Sequence, residues 1–124
     1  MALRRRGDCG LLIVAKSPLR GEIYWIDWSP HRGSEQAGRR PGLVISGDAF
    51  NRDMPVCTVL ALTTKVKPSK IAITLPAGIT GTASQILPWQ VMTISQSRLD
   101  GYLATLDNEW MARVEAALRL VWRL

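Results

Sequence analysis

"GEIYWIDW", residues 21–28, places Ile23 and Trp25 on one face of an alternating pattern and Tyr24, Ile26 and Trp28 on the other. Both faces are rich in apolar groups, and β-branched and aromatic residues run throughout, so the stretch reads as a strand. Working outward, "GLVIS" (42–46) and "CTVLALTT" (57–64) are short apolar runs bounded by turn residues, the pattern of strands buried on both sides. "KIAITL" (70–75) alternates, "GITGT" (78–82) is a turn, and "SQIL" (84–87) and "QVMTI" (90–94) supply two more strand candidates. The period then changes. Asp107 is a fitting N-cap, Glu109 complements the dipole in the first turn, and Met111, Val114, Leu118 and Val121 fall on one helical face with Ala117 beside them. Arg119 and Arg123 suit the last turn. The pattern predicts about five to seven strands and one C-terminal amphipathic helix, without βαβ alternation. A mainly β, small antiparallel barrel-like domain with a helix packed on it follows.

At 124 residues the chain fits one domain, and 47% hydrophobic against 21% charged residues marks it as globular. It shows no internal repeat and no low-complexity linker. The formal charge of +6 is unevenly spread: Arg4, Arg5, Arg6, Lys16 and Arg20 oppose only Asp8 in residues 1–20, a net +4 that leaves +2 for the rest. Local clustering is therefore more informative than the total. Arg32, Arg39 and Arg40, with Lys65, Lys67 and Lys70, oppose only Glu35, and make a basic patch if the two stretches meet.

Cys9 and Cys57 stand 48 positions apart with no CxxC pair, which argues against a disulfide framework or structural zinc and for a reduced, cytoplasmic setting. The N-terminal "RRRGDCGLLIVAK" has an apolar core, residues 11–15, too short for a signal peptide or a membrane span. Residues 1–19 read as an extension, either without fixed structure or adding an edge strand through "LLIVA".

The single histidine, His31, removes the acid/base pair that most hydrolases use, since only histidine titrates near neutrality unaided. No GxSxG or P-loop occurs, and the ten carboxylates are scattered without a DxD or HExxH arrangement, so no metal and no cofactor is expected. Catalysis by this chain would rest on Arg, Glu, Thr or Lys, a set suited to phosphate chemistry because guanidinium matches phosphoryl oxygens bidentately. "GSEQAGRRP", residues 33–41, supplies such a group. Pro41 pushes Arg40 into the extended region, and with Arg39 extended the two side chains project to opposite sides. Gly33 and Gly38 let the loop bend. On these points alone it is either a surface loop with an ion pair from Glu35 to Arg39 or Arg40, or an anion site.

"GEIYWIDWSP…GSEQAGRRPGLVISGDAFN", then "LALTTK", then "TISQSRLDGYLATLDNEWMARVEAALRLVWRL", resembles the MazF/PemK family of toxin endoribonucleases in order and spacing, over residues 20–124. The resemblance implies an SH3-like, plug-type β-barrel with a C-terminal helix, a homodimer, a cognate MazE-like antitoxin, and metal-independent cleavage of single-stranded mRNA with no membrane involved. Carried over by position, it implies catalytic roles for Arg40 in "RP", Thr63 as the first threonine of "TT", and Glu35 in "SEQ". RNA contacts are expected at Trp28, Ser34, Gln36, Arg39, Lys65, Trp89 and Gln90. The PemK-like branch has a carboxylate before the glutamine of its "DQ" pair and an arginine two positions earlier. Here those positions are Trp89 and Leu87, which implies an Arg40 and Thr63 catalytic set with altered cleavage preference.

Aromatic side chains also stack on unpaired bases. Trp25, Trp110 and Trp122 lie within strand and helix patterns and are expected in the core, whereas Trp28 and Trp89 are open to either role. Thr64 alternates away from Thr63 and is expected to support packing. Two alternatives stand beside the nuclease: a CcdB-like gyrase poison that acts by protein binding through "LVWRL", and a catalytically weak RNA-binding member of the family.

Overall fold

Ile23 and Ile26 have no exposed surface, yet they point to opposite faces of strand β1 (Glu22–Asp27), so the sheet that β1 belongs to is covered on both sides. The structure, a computed structural model, describes residues 16–28 and 38–124. Expectations for residues 1–15, including Cys9, and for residues 29–37, including His31, Ser34, Glu35 and Gln36, lie outside them. β1 is followed by β2 (Arg39–Val44), a short helix α1 (Asp48–Asp53), β3 (Val56–Thr63), β4 (Ile73–Leu75), a helical turn α2 (Ala77–Thr80), β5 (Ser84–Ser95), a 3-10 turn (Gln96–Arg98), β6 (Leu99–Thr105) and helix α3 (Asn108–Trp122). The strands form one sheet in the order β4-β5-β3-β2-β1-β6, with every pairing antiparallel. Among the described residues the sheet curls into a half-barrel whose edge strands, β4 and β6, do not pair with each other.

Each face has its own core. On one, Ile23, Leu43, Leu60, Leu62, Leu75 and Ile86 pack against Met111 and Val114 of α3. On the other, Ile26, Val44, Cys57, Val59 and Ile94 cluster, flanked by Tyr24, Trp28 and Leu99. A strand that serves two cores must be apolar at both parities, which is why β2 and β3 read as unbroken apolar runs. Asp107 caps α3 by accepting the Trp110 N–H at 2.9 Å. An ion pair from Arg20 to Glu115 at 2.7 Å ties the helix to the chain entering β1. Pro18 is fully buried, and its carbonyl accepts from the amide of the buried Asn51, so the main chain is already fixed to the domain there.

The structure departs from the sequence reading in several places. β2 begins at Arg39, so the arginine pair, read from the sequence as part of a loop, belongs to the strand. "SQIL" and "QVMTI" are one long strand, β5, broken by a bulge: between the pairs Leu60 with Val91 and Leu62 with Ile86, the single residue Ala61 faces residues 87–90. Pro88 lies in that bulge, where its missing N–H costs no ladder bond. α1 and β6 were not expected: α1 has no side-chain cap, and β6 is mostly exposed and interrupted by Gly101 at φ +118°.

Candidate active site

β2 and β3 set the centre of the site by their register. Gly42 pairs with Ala61, Leu43 with Leu60 and Val44 with Val59. Continued two residues outward, that register brings Arg40 opposite Thr63 on the same face, because antiparallel partners point the same way. Both line a cleft of about 430 Å³. Its outer wall is the β3 to β4 connection with Lys65, Lys67, Pro68 and Ser69. The β5 bulge contributes Leu87, Trp89 and Gln90, and Gln85 forms part of the floor. No carboxylate is among these described lining residues.

Arg40 is held from its own strand and from β1. The Trp28 indole N–H donates to the Arg40 carbonyl at 3.1 Å, and the guanidinium lies over the Trp28 ring, 5.5 Å from its centre. Trp28 itself packs on the second core, so its ring supports Arg40 and is not among the described residues lining the cleft. Gly42 makes this arrangement possible. A Cβ there would stand 2.4 Å from Ile26 Cδ1, 3.3 Å from the Leu60 carbonyl oxygen and 3.4 Å from Trp28 Cζ2.

Thr63 accepts the Lys65 N–H at 3.1 Å through its hydroxyl oxygen, which leaves the hydroxyl proton available to donate into the cleft. Thr64, expected to support packing, is exposed and does not line the cleft. Lys65 and Lys67 meet Arg40 at the cleft, while Lys70 is exposed and outside the lining. Arg39 goes the other way: it lies 4.8 Å over the Trp25 ring, its Nε donates to Asp100 Oδ2 at 3.0 Å, and its Nη2 donates to the Asp100 carbonyl at 3.0 Å. Its charge is balanced within the fold and faces away from Arg40.

Of the expected core tryptophans, Trp110 packs on the first core under Arg113, whose guanidinium lies 4.4 Å from the ring centre. Trp25 is partly buried. Trp122 is about half exposed, and its N–H donates to the Pro88 carbonyl in the β5 bulge at 3.1 Å. Trp89 is 44% exposed at the cleft, ample surface for a ring to stack on. Cys57 is fully buried, and burial pushes its thiol up to about 11, which leaves it protonated and unreactive at neutral pH. No group of three metal-ligating side chains occurs among the described residues. No helix among them is long and apolar enough to cross a membrane.

Gln85 was missed. An amide inside an apolar strand looks like a solvent-facing alternation, and only the buried "SQIL" pattern could have marked it.

A curled antiparallel sheet with a C-terminal helix is the fold this chain shares with the MazF-like toxins. The chain belongs to the PemK-like, MazF-like toxins of type II toxin-antitoxin systems, whose family model matches residues 19–122. It is 39% identical over 105 residues to Endoribonuclease EndoA of Bacillus subtilis, covering 82% of this chain and 90% of that protein. Among solved structures it is similar to MazF from Deinococcus radiodurans, with 28% identity and a TM-score of 0.74 over 87% of this chain and 98% of the other. A MazE-MazF complex from the same organism matches at 27% identity and a TM-score of 0.74, over 87% and 98%.

Proposed function

We propose that this toxin is a metal-independent endoribonuclease that cuts single-stranded mRNA in the cleft between β2, β3 and β5. The observation that carries the reading is the strand register that sets Arg40 against Thr63 in a cleft walled by Lys65 and Lys67. In the reaction, the ribose 2′-oxygen bonds to the adjacent phosphorus and the bond from phosphorus to the 5′-oxygen breaks. The leaving oxygen takes a proton from solvent, so the products are a 5′-OH end and a 2′,3′-cyclic phosphate (or, once a water adds across it, a 3′-phosphate). Arg40 stabilises the negative charge that builds on the phosphoryl oxygens, because a guanidinium does not give up its proton. Thr63 donates its hydroxyl hydrogen bond to one of those oxygens. Glu35 takes the 2′-OH proton as general base. Lys65 grips a flanking phosphate and Trp89 stacks on a base beside Gln90, with Ser34 and Gln36 contributing from the stretch before β2. Residues 20–124 are the toxin domain and residues 1–19 an extension to it, whose last residues pack back onto the domain at Pro18.

The protein works in the cytoplasm, as a homodimer, and is neutralised by a MazE-like antitoxin. EndoA's name and the MazE-MazF complex support the activity and the partner. The test is incubation of the purified protein with long single-stranded RNA in EDTA, with mapping of the 5′ ends. Discrete cuts bearing 5′-OH are expected, reduced about a hundred- to a thousandfold by Arg40→Ala or Thr63→Ala, the usual effect of removing one preorganised donor. Arg40→Lys is expected to recover little, since an ammonium lacks the fork. Full activity in Arg40→Ala overturns the mechanism. Gyrase inhibition without RNA cleavage would favour a CcdB-like poison, and binding without cutting a catalytically weak member.

A further inference from the structure

We propose that Gln85 is a positioning residue that locks the lysine-bearing wall of the cleft into a fixed phosphate-binding surface. The inference rests on the ribonuclease reading above. Gln85 is 4% exposed and sits on β5 between Thr63 of β3 and Thr74 of β4, paired with both. Its side chain closes on the backbone of one residue of the wall: Oε1 accepts the Lys67 N–H at 3.1 Å, and Nε2 donates to the Lys67 carbonyl at 2.6 Å. Nε2 also reaches Thr74 Oγ1 at 3.4 Å. An amide that satisfies both backbone groups of one residue mimics a strand partner. Residues 64–72, which run outside any strand, thus gain a ladder rung at Lys67 without a strand beside it.

The wall is fixed at a second point close by. Lys65 N–H donates to Thr63 Oγ1, so the chain is held at Lys65 by the catalytic threonine and at Lys67 by Gln85. The backbone of residues 65–67 is therefore fixed relative to Arg40 and Thr63, and the two lysine side chains start from fixed roots. Ser69 adds a local turn by accepting the N–H groups of Ile71 and Ala72. Burying a glutamine is costly unless both ends of its amide are hydrogen-bonded, and here the bonds that meet that cost are the ones that hold Lys67. Lysine contacts to phosphate are weak singly, and they add to affinity when their ordering cost is already met.

The experiment uses the full chain and a short single-stranded DNA of mixed sequence, which lacks the 2′-OH and stays intact. Binding is followed against salt. Each phosphate contact to a single strand contributes a slope of about 0.7 in log affinity against log salt, so release of Lys65 and Lys67 should flatten the slope by up to ~1.4. Gln85→Leu is expected to show this flattening, and to add nothing in a Lys65→Ala, Lys67→Ala background. An unchanged slope in folded Gln85→Leu, or a full further loss in the lysine-free background, overturns the proposal. Should Gln85→Leu fail to fold, hydrogen exchange on the unmutated protein decides. The Lys67 amide, although in an exposed segment, is expected to exchange at least about a hundredfold slower than a free chain, and free-chain exchange overturns the clamp. RNA cleavage with an unchanged slope sinks the clamp alone. A flattened slope without RNA cleavage sinks the nuclease reading alone, and absence of DNA binding by the unmutated protein sinks the lysine wall.

Discussion

Arg39 and Arg40 are neighbours with opposite fates, and a strand explains both. Alternation turns Arg40 into the cleft and Arg39 onto Trp25 and Asp100. The Arg39 to Asp100 pair is more than half exposed at both side chains and contributes little to stability. Gly42, on the Arg40 face, is the tighter constraint. Ile26 is fully buried and has no space to retreat from an added Cβ, and the Leu60 carbonyl cannot move without its strand. Gly42→Ala is expected to lower stability by about 1–3 kcal/mol, the usual cost of overpacking, measurable by urea denaturation. Because Trp28 lies against the same point, RNA cleavage should fall in parallel in the protein that remains folded.

Among the elements, α3 was legible except at its end, where Arg123, expected in the last turn, is the left-handed residue just beyond it at φ 58°, and β5 only half so. The helix announces itself by a capping residue and a 3.6-residue period, both local properties. Asp107→Ala removes the cap bond to Trp110 and should cost about 1 kcal/mol, seen as a lower thermal midpoint with RNA cleavage unchanged at low temperature. β5 reads from the sequence as two strand candidates, "SQIL" and "QVMTI", with Pro88 and Trp89 between them. A bulge and a chain break look alike in sequence, since the hydrogen bonds on either side belong to a partner strand far away in the chain. β6 was hidden for a related reason: its mostly exposed side chains carry little apolar periodicity. The site shows the same division. Arg40 and Thr63 could be picked out by motif, and the projection of Arg39 and Arg40 to opposite sides by alternation. Their meeting across β2 and β3, and the closure of Gln85 on Lys67, depend on register, which sequence does not display.

For the whole molecule, what matters among the described residues is where the charge sits and not the formal total of +6: the lysines at 65 and 67 join Arg40 at the cleft, while Arg39 is balanced by Asp100 elsewhere. The proposed homodimer is tested by light scattering at micromolar protein, where a mass about twice 13.7 kDa is expected and a strict monomer would count against it.

The bulge at residues 87–90 divides the molecule's freedom to vary. Arg40 and Thr63 are locked to the ladder, where any slip would turn every side chain of the strand to the wrong face. Trp89 and Gln90 lie outside the ladder and are exposed, so replacing them disturbs neither pairing nor either core. One wall of the cleft can thus be rewritten almost independently of the fold, and a new RNA preference could be installed there without rebuilding the machinery that breaks the bond.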